Sequence, residues 1–457
     1  MPLNPSMLPH GEIRFGRILD DISAAIRRYN RTTPVAGNNM YSLGASPCFV
    51  QEPRIMGVFG CTSARLENYY LAVPWQYSEH WGSQKVPFAE NNLLLHTLWN
   101  ELLQQTATMP GLQRIKTELT DLLGIKHPIL LAGMARTSSG LLAAAVSNAG
   151  GCGVVGGLNY TPEQLFSILN DLKANLNDPS LPFGVDLALP KIGAGARKTN
   201  HDYTHGQLDA LIDVTINSGA KLFVCAVGVP PKHIVDKLHV NGILVMNMVG
   251  APKHARYALE AGADMVCAQG GEGGGHTGAI ATSILIPAVV DAVQGYKSPM
   301  TGCTPLVIAA GGIRDGRSLA AALMMGAAGV WVGTRFVASV EAGCSDMHKV
   351  EVTTATFDDT VRTLVVSGRP MRVKANEYIK AWERQPEKIL ELTQAGIVPY
   401  EKDVEDGVEA DRPFLMGQVA AVIGEIEPAG KIVEDMVDGA VKMLSKGSKF
   451  IGLGARL

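Results

Sequence analysis

The residues PLVIAAGGIRDGRSLAAALMMGAAGVWVGT, at positions 305–334, hold two short apolar runs separated by one helix-like segment. Apolar runs that alternate with helical patterns are typical of βαβ units and predict a parallel sheet. The alternation extends back to Pro128. We predict eight strands, at residues 128–132, 153–157, 183–187, 221–227, 243–248, 264–268, 305–310 and 329–333. Eight such units over this length predict an α/β fold closed into a TIM (β/α)8 barrel.

Four of the helix-like segments end in small residues directly before a strand. A glycine stands at each of these ends: Gly150, Gly219, Gly262 and Gly326. Glycine readily adopts the left-handed conformation that terminates a helix and lets the chain turn back into the sheet. The recurrence supports a barrel domain over residues 113–345.

Two further regions flank the predicted barrel. Residues 1–112 form an N-terminal extension without a chemical motif, and we expect an accessory, partly disordered segment. Helical spacing is present there only at residues 15–29 and 94–102. Residues 346–457 predict a C-terminal helical region that packs on the barrel. Its candidate helices are residues 357–366, 387–395, 414–423 and 432–444. The sequence does not decide whether this region covers the barrel mouth or only packs against the barrel.

Composition excludes several classes of function and location. The 40 basic and 43 acidic residues nearly balance, which gives no electrostatic case for binding nucleic acid or an acidic membrane surface. The seven cysteines form no C-x-x-C pair, so a reducing compartment fits better than a disulfide framework. No apolar run is long enough to cross a bilayer, and the N-terminus lacks a signal-peptide pattern. We therefore expect a cytoplasmic protein.

Glycine pairs follow the seventh and eighth predicted strands. Gly311-Gly312 ends the seventh strand, and Gly333-Thr334 ends the eighth. In barrels the loops after these two strands often bind phosphate through backbone N–H groups and a helix N-terminus. Glycine lets the backbone approach the anion, since it carries no Cβ. The two pairs together predict a phosphate site.

The loop after the sixth strand has the sequence QGGEGGGHTG, at residues 269–278. Its last six residues match G-x-G-x-x-G, so a dinucleotide-binding fingerprint is a competing interpretation. Because the strand belongs to a series of eight, we favour a flexible backbone wall against a flat ligand. The loop delivers His276, whose imidazole titrates near neutrality and makes it the candidate catalytic acid or base. A metal site is not expected, since no second ligand shares its spacing.

These motifs resemble the nitronate monooxygenase family, once called 2-nitropropane dioxygenases. The family consists of FMN-dependent barrels and has flavin-dependent enoyl thioester reductases as relatives. The matching segments are LLAGM (130–134), PFGVD (182–186), AQGGEGGGHTG (268–278), AAGGI (309–313) and GVWVGTRF (329–336). The resemblance spans roughly residues 117–445, and the N-terminal extension has no counterpart in it.

The resemblance implies roles for the residues that would face the flavin ring. Gly133 and Met134 would lie against the isoalloxazine of FMN, and Gln269 would hydrogen-bond its polar edge. Gly274 would pass close to the cofactor. His276 would be the acid or base over the substrate.

The resemblance also implies a phosphate site for FMN. Gly312, Gly333 and Thr334 would hold the phosphate, with Trp331 and Val332 leading into that turn. The full set of candidate cofactor-binding residues is Ala132, Gly133, Met134, Asp186, Gln269, Gly274, Gly275, Gly311, Gly312, Trp331, Val332, Gly333 and Thr334.

Asp186 departs from the family pattern. Many members have Asn after the Phe-Gly-Val run, whereas this chain has Asp. An amide can donate a hydrogen bond to a reduced flavin, but an ionised carboxylate can only accept one. A negative charge there would also disfavour an anionic reduced flavin. The tuning of the cofactor is therefore open.

Our leading hypothesis is FMN-dependent oxidation of alkyl nitronates by dioxygen, with His276 deprotonating the neutral nitroalkane or holding the anion. The first alternative is an NAD(P)H-dependent reductase of the C=C bond in an enoyl-CoA or enoyl-carrier-protein thioester. The second is a flavin-binding or scaffold protein without catalysis. Phosphate-binding barrels with a catalytic cysteine loop fit less well, because Cys267 is predicted inside a strand. The natural substrate and the oligomeric state are left open.

Overall fold

The computed structural model describes residues 48–50, 61–66, 69–74 and 115–451. The chain divides into two compact units, Met1–Leu98 and Trp99–Leu457. In the first unit, strands β1 (Cys48–Val50), β2 (Cys61–Leu66) and β3 (Tyr69–Pro74) form an antiparallel sheet in the order β1-β3-β2. The helices predicted at residues 15–29 and 94–102 lie outside the described residues.

Eight parallel strands form the barrel of the second unit, which confirms the predicted TIM-barrel fold. The first five are β4 (Ile129–Leu131), β5 (Gly153–Gly156), β6 (Phe183–Ala188), β7 (Leu222–Ala226) and β8 (Leu244–Val249). They are followed by β9 (Met265–Gln269), the two-residue strand β10 (Gly275–His276) of a separate sheet, β11 (Leu306–Ala310) and β12 (Gly329–Val332).

Backbone hydrogen bonds close the barrel between its first and second strands. The Cys152 N–H donates to the Ile129 carbonyl at 2.9 Å, and the Leu131 N–H donates to the Cys152 carbonyl at 2.9 Å. On its other side β4 pairs in parallel with β12. Every predicted strand is present, and no strand end differs from its prediction by more than one residue.

Helices alternate with the strands, after α1 (Glu118–Leu123), which precedes β4. They are α2 (Gly140–Asn148), α3 (Pro162–Ala174), α4 (Leu208–Ser218), α5 (Lys232–Val240), α6 (Pro252–Glu260), α7 (Thr282–Ala292) and α8 (Gly316–Met324). All four glycines predicted to end a helix have positive φ, between 85° at Gly219 and 105° at Gly262. The left-handed turn inferred from the sequence is confirmed at each of them.

Side chains on the barrel strands alternate between two hydrophobic clusters. One set points outward to the helices, for example Val185 and Phe223, and the other points into the barrel, for example Val224 and Cys267. Leu119 and Leu123 of α1 belong to the inner cluster. Helix α1 therefore seals the amino-terminal end of the barrel, so the carboxyl ends of the strands are left for a site.

The region after β12 contains more than helices. Its elements are α9 (Thr334–Val337), α10 (Asp346–Thr353), β13 (Thr360–Thr363), β14 (Met371–Lys374), α11 (Glu377–Glu383), α12 (Pro386–Ala395), α13 (Pro399–Glu405), a 3-10 helix (Gln418–Val422) and α14 (Ala429–Ser448). The helices predicted at 387–395 and 432–444 are confirmed by α12 and α14. In the run predicted at 414–423, only the 3-10 helix is helical.

The helix predicted at residues 357–366 is wrong, because β13 occupies that stretch. Val361 pairs with Val373 of β14 in an antiparallel hairpin, and β14 also pairs with β10. β-branched residues such as Thr360, Val361 and Thr363 favour a pleated surface once a partner strand is available. The spacing of apolar residues within 357–366 does not reveal that β14 is available as a partner strand.

Helix α14 completes the ring of helices around the barrel. It packs against α8 on one side and α2 on the other. A Cβ on Gly316 of α8 would lie 2.2 Å from the Ala440 backbone nitrogen, so the two helices are in backbone contact there. Among the described residues, no helix combines the length and the apolar character needed to cross a membrane.

The outer cluster should dominate the stability of the barrel. Phe223 is fully buried on β7, so Phe223→Ala should lower the free energy of unfolding by about 3–5 kcal/mol. The matched control is Phe166→Ala on α3, where the side chain is 57% exposed and the loss should be about 0.5 kcal/mol. Urea denaturation followed by circular dichroism compares the two. Equal losses would contradict this assignment of the core.

Candidate active site

A cavity of about 280 Å³ opens at the carboxyl ends of the barrel strands. All but one of the predicted site residues line it: Ala132, Gly133, Met134, Asp186, Gln269, Gly274, Gly275, His276, Gly311, Gly312, Trp331, Gly333 and Thr334. The exception is Val332, whose side chain is fully buried in the outer cluster between strands and helices. Alternation along β12 turns Trp331 into the barrel and Val332 away from it.

The first wall of the cavity is the loop after β4, which passes close to β6. A Cβ added at Gly133 would lie 2.3 Å from both Cβ and Oδ2 of Asp186. No side chain fits between them, so the Gly133 backbone is directly exposed to the cavity beside the carboxyl group. This bare backbone offers a flat surface of the kind a planar ring requires.

The glycine turn after β11 has a backbone conformation that favours glycine. Gly311 and Gly312 both have positive φ, 94° and 73°. The helix that follows, α8, begins behind Asp315, whose carboxylate accepts a hydrogen bond from the Ser318 N–H at 3.0 Å. The N-terminus of α8 is therefore capped by the side chain of Asp315.

The turn after β12 presents a hydroxyl group instead. The Gly417 N–H donates to Thr334 Oγ1 at 3.0 Å, which leaves the hydroxyl proton of Thr334 free to donate elsewhere. Helix α9 is only four residues long, so its dipole adds little. An anion at this end of the cavity would be held by loop amides and by Thr334.

The loop after β9 is fixed, so the flexible wall expected from its glycines is wrong. Gly275 and His276 form β10 and pair with Arg372 and Met371 of β14. The Thr277 N–H donates to the Pro370 carbonyl at 3.2 Å.

Inside the same loop, Gln269 braces the turn. Its Nε2 donates to the His276 carbonyl at 3.0 Å and makes a longer contact of 3.4 Å with the Gly274 carbonyl. A Cβ on Gly274 would lie 2.6 Å from the Met416 carbonyl carbon, so the C-terminal chain packs on the glycine backbone. The side-chain NH₂ group of Gln269 thus holds the loop in shape, and the side-chain oxygen Oε1 is the group left for a ligand.

His276 is partly buried in the cavity and contacts the hairpin turn between β13 and β14. Its Nε2 lies 3.0 Å from Ser367 Oγ. Burial, and secondly the positive charge of Arg369, lower the pKa of His276 from 6.5 to about 4. The imidazole is therefore neutral near pH 7 and able to accept a proton.

Two residues around His276 were missed from the sequence. Ser367 is 7% exposed and orients the imidazole. Arg369 donates to Asn200 Oδ1 at 2.8 Å and to the Val227 carbonyl at 2.9 Å, which fixes its guanidinium beside the site. Both lie about ninety residues beyond His276, between the helices predicted at residues 357–366 and 387–395. No local motif marks them.

Asp186 is a buried carboxyl group. The side chain is 7% exposed, and Oδ1 has no hydrogen-bond partner among the described residues. Burial raises its pKa well above the usual value of a carboxyl group. Burial therefore favours the protonated form over the ionised carboxylate considered from the sequence.

The C-terminal region covers the mouth of the cavity. Met371 of β14 and the segment that leads into the 3-10 helix contribute apolar side chains to the lining. Those residues are Leu415, Met416 and Val419, with Arg412 as the charged member. Of the two alternatives left open by the sequence, the region therefore covers the barrel mouth.

A family model described as nitronate monooxygenase matches residues 116–439. The chain is 38% identical over 270 residues to (3aS,4S,5R,7aS)-5-hydroxy-7a-methyl-1-oxo-octahydro-1H-indene-4-carboxyl-CoA dehydrogenase of Mycobacterium tuberculosis, covering 59% of this chain and 69% of the relative. FabK from Thermotoga maritima aligns with a TM-score of 0.60 at 33% identity, covering 74% of this chain and all of FabK. Nitroalkane oxidase from Streptomyces ansochromogenes aligns with a TM-score of 0.60 at 27% identity, covering 72% and 99% of the two chains.

The close approach of Gly133 to Asp186 has a direct test in the ligand-free protein. Gly133→Ala should destabilise the fold by about 1–3 kcal/mol, because the new methyl group overlaps the carboxyl side chain. Gly424→Ala is the matched control, since nothing lies within 4 Å of a Cβ there. Scanning calorimetry measures both. A Gly133→Ala protein as stable as the control would show that the two segments are further apart.

Proposed function

The chain belongs to the nitronate monooxygenase family and is therefore an FMN-dependent oxidoreductase; from this we propose that it oxidises alkyl nitronates with dioxygen. The observation that carries the proposal is a neutral imidazole, His276, that lines a cavity at the carboxyl ends of the barrel strands. The likeness to a nitroalkane oxidase supports the same class of substrate.

The residues of the cavity fit an FMN molecule. Gly133 and Met134 offer a wall without a protruding side chain for the ring, and the Gln269 carbonyl offers an acceptor for an N–H group. Loop amides at Gly312 and Gly333, with the Thr334 hydroxyl, suit the phosphate. When bound, FMN would accept electrons from the substrate, and dioxygen would then reoxidise it.

His276 would remove the proton from the carbon next to the nitro group. Ser367 Oγ also contacts the Arg369 carbonyl at 3.5 Å, as a donor. We assign the ring N–H of His276 to Nε2, as the donor to Ser367 Oγ, which leaves the lone pair of Nδ1 to act as the base. A nitronate that arrives already ionised needs no such base.

Substitution of the imidazole separates these two substrates. His276→Ala should lower kcat/KM for neutral nitroethane by roughly 10²–10⁴-fold, the usual worth of a general base. The loss with the pre-ionised nitronate should be much smaller. His233→Ala, at an exposed position on α5, is the control and should change neither value. Equal losses on both substrates would contradict the role of base, which oxygen-consumption assays measure directly.

A second candidate function is supported by positive charge near the cavity. Arg412 lines the cavity, and the charges of Arg369 and Arg412 both act on the phenol of Tyr203. Burial lowers the pKa of Arg369, and the nearby charge of Arg197 lowers it further. Arginines bind phosphate groups in bidentate fashion, so this cluster suits the phosphates of a CoA thioester. The relative named as a carboxyl-CoA dehydrogenase supports a CoA compound as the substrate. The second candidate is therefore a reductase of a CoA thioester that takes its electrons from NAD(P)H.

Anaerobic stopped-flow absorbance distinguishes the two candidates. The FMN-loaded protein is mixed separately with propionate 3-nitronate, nitroethane, NADH and NADPH, and bleaching of the flavin is followed. We expect rapid bleaching by the nitronate and slower bleaching by nitroethane, because the latter must first lose a proton. Bleaching by a nicotinamide nucleotide but by neither nitro compound would contradict nitronate oxidation and support the thioester reductase.

A further inference from the structure

Asp186 is a buried carboxyl group inside the barrel. It lies on β6 between Gly156 of β5 and Val224 of β7 in the sheet register, and its side chain lines the cavity. The residue is 93% buried, and Oδ1 has no hydrogen-bond partner among the described residues. A buried polar atom without a partner is costly, so such an atom in a cavity points to a ligand that satisfies it.

The surroundings of Asp186 do not support a negative charge. The thiol of Cys267 on β9 lies in the inner cluster, on the same face of the sheet as Asp186, whereas the thiol of Cys225 on β7 lies in the outer cluster; both are fully buried. Burial raises the pKa of each thiol, so both are neutral. The pKa of Asp186 itself is raised by burial, and no charge or hydrogen bond from the described residues opposes that shift.

We propose that Asp186 is a neutral carboxylic acid that donates a hydrogen bond to the ring system of the bound flavin. A protonated carboxyl group carries one O–H donor, which an ionised one lacks. The wall formed by Gly133 and Met134 places the ring beside this group, because no side chain separates Gly133 from Asp186. The inference rests on the proposed flavin site and is independent of which substrate is oxidised.

A protonated acid at this position can serve as a hydrogen-bond donor in the way an amide would. Asn and a protonated Asp are similar in size, and each can donate one hydrogen bond toward the cavity. A donor to the ring stabilises its reduced form, which carries more electron density. Asp186 would thus raise the midpoint potential of the bound flavin, whereas a carboxylate would lower it.

Infrared difference spectroscopy reads the protonation state without any turnover. Spectra of the full-length chain and of Asp186→Asn are subtracted at pH 7, with and without FMN. We expect the C=O stretching band of a protonated carboxylic acid in the wild type, absent from the variant. This band should move when FMN binds, because a new hydrogen bond forms. A carboxylate band in its place, or an acid band that FMN leaves unchanged, would overturn the proposal.

Binding and redox measurements compare two variants. Asp186→Asn keeps a donor and should bind FMN within about 2-fold of the wild type, with a similar midpoint potential. Asp186→Ala removes the donor and should bind FMN roughly 3- to 10-fold more weakly, with a lower potential. Quenching of FMN fluorescence measures the affinity, and a redox titration measures the potential. An Ala variant that matches the wild type in both would overturn the proposal, and so would an Asn variant that matches the Ala variant.

The outcomes separate this inference from the function proposed above. Failure of the full-length chain to bind FMN would overturn both the flavin site and the hydrogen bond. FMN binding with a carboxylate at Asp186 would overturn the hydrogen bond alone. A failure of nitronates to reduce the flavin would concern only the substrate, since neither the infrared band nor the affinity for FMN depends on it.

Discussion

The pairing of β10 with β14 is the constraint on which the site depends. Two residues of the glycine-rich loop, Gly275 and His276, are held by backbone hydrogen bonds to a hairpin that begins some eighty residues later. Ordering a loop so rich in glycine costs much conformational entropy, and the backbone hydrogen bonds of the pairing offset that cost. The pairing, with the Thr277 contact to Pro370, fixes the imidazole in the cavity before any ligand arrives. Preorganisation of this kind is what a general base requires.

The hairpin also explains why the region after the barrel is part of the site. Met371, which pairs with His276, is itself a lining residue, and Ser367 lies in the turn of the same hairpin. The chain returns to the barrel at Gly417, which contacts both Thr334 and the glycine loop. One C-terminal segment therefore supports both the His276 end and the Thr334 end of the cavity.

The barrel and many of the residues that line the cavity could be predicted from the sequence, because local sequence patterns determine the strands and the helix ends. Apolar runs located the strands, and glycines located the ends of the helices. Strict alternation along β12 would also have turned Val332 away from the cavity once Trp331 faced it. The hairpin and Ser367 could not be predicted, since a strand pairing between distant segments leaves no local period. The charge states of His276 and Asp186 depend on burial, which only the folded chain defines.

The central claim is that FMN lies across this cavity, with its phosphate between the turns after β11 and β12 and its ring between Gly133 and His276. A crystal structure of the full chain grown with FMN tests the claim most directly. It should show phosphate oxygens within hydrogen-bond distance of the Gly312 and Gly333 amides and of Thr334 Oγ1, with the ring facing the imidazole. A phosphate bound elsewhere, or a ring that points out to solvent, would contradict the account.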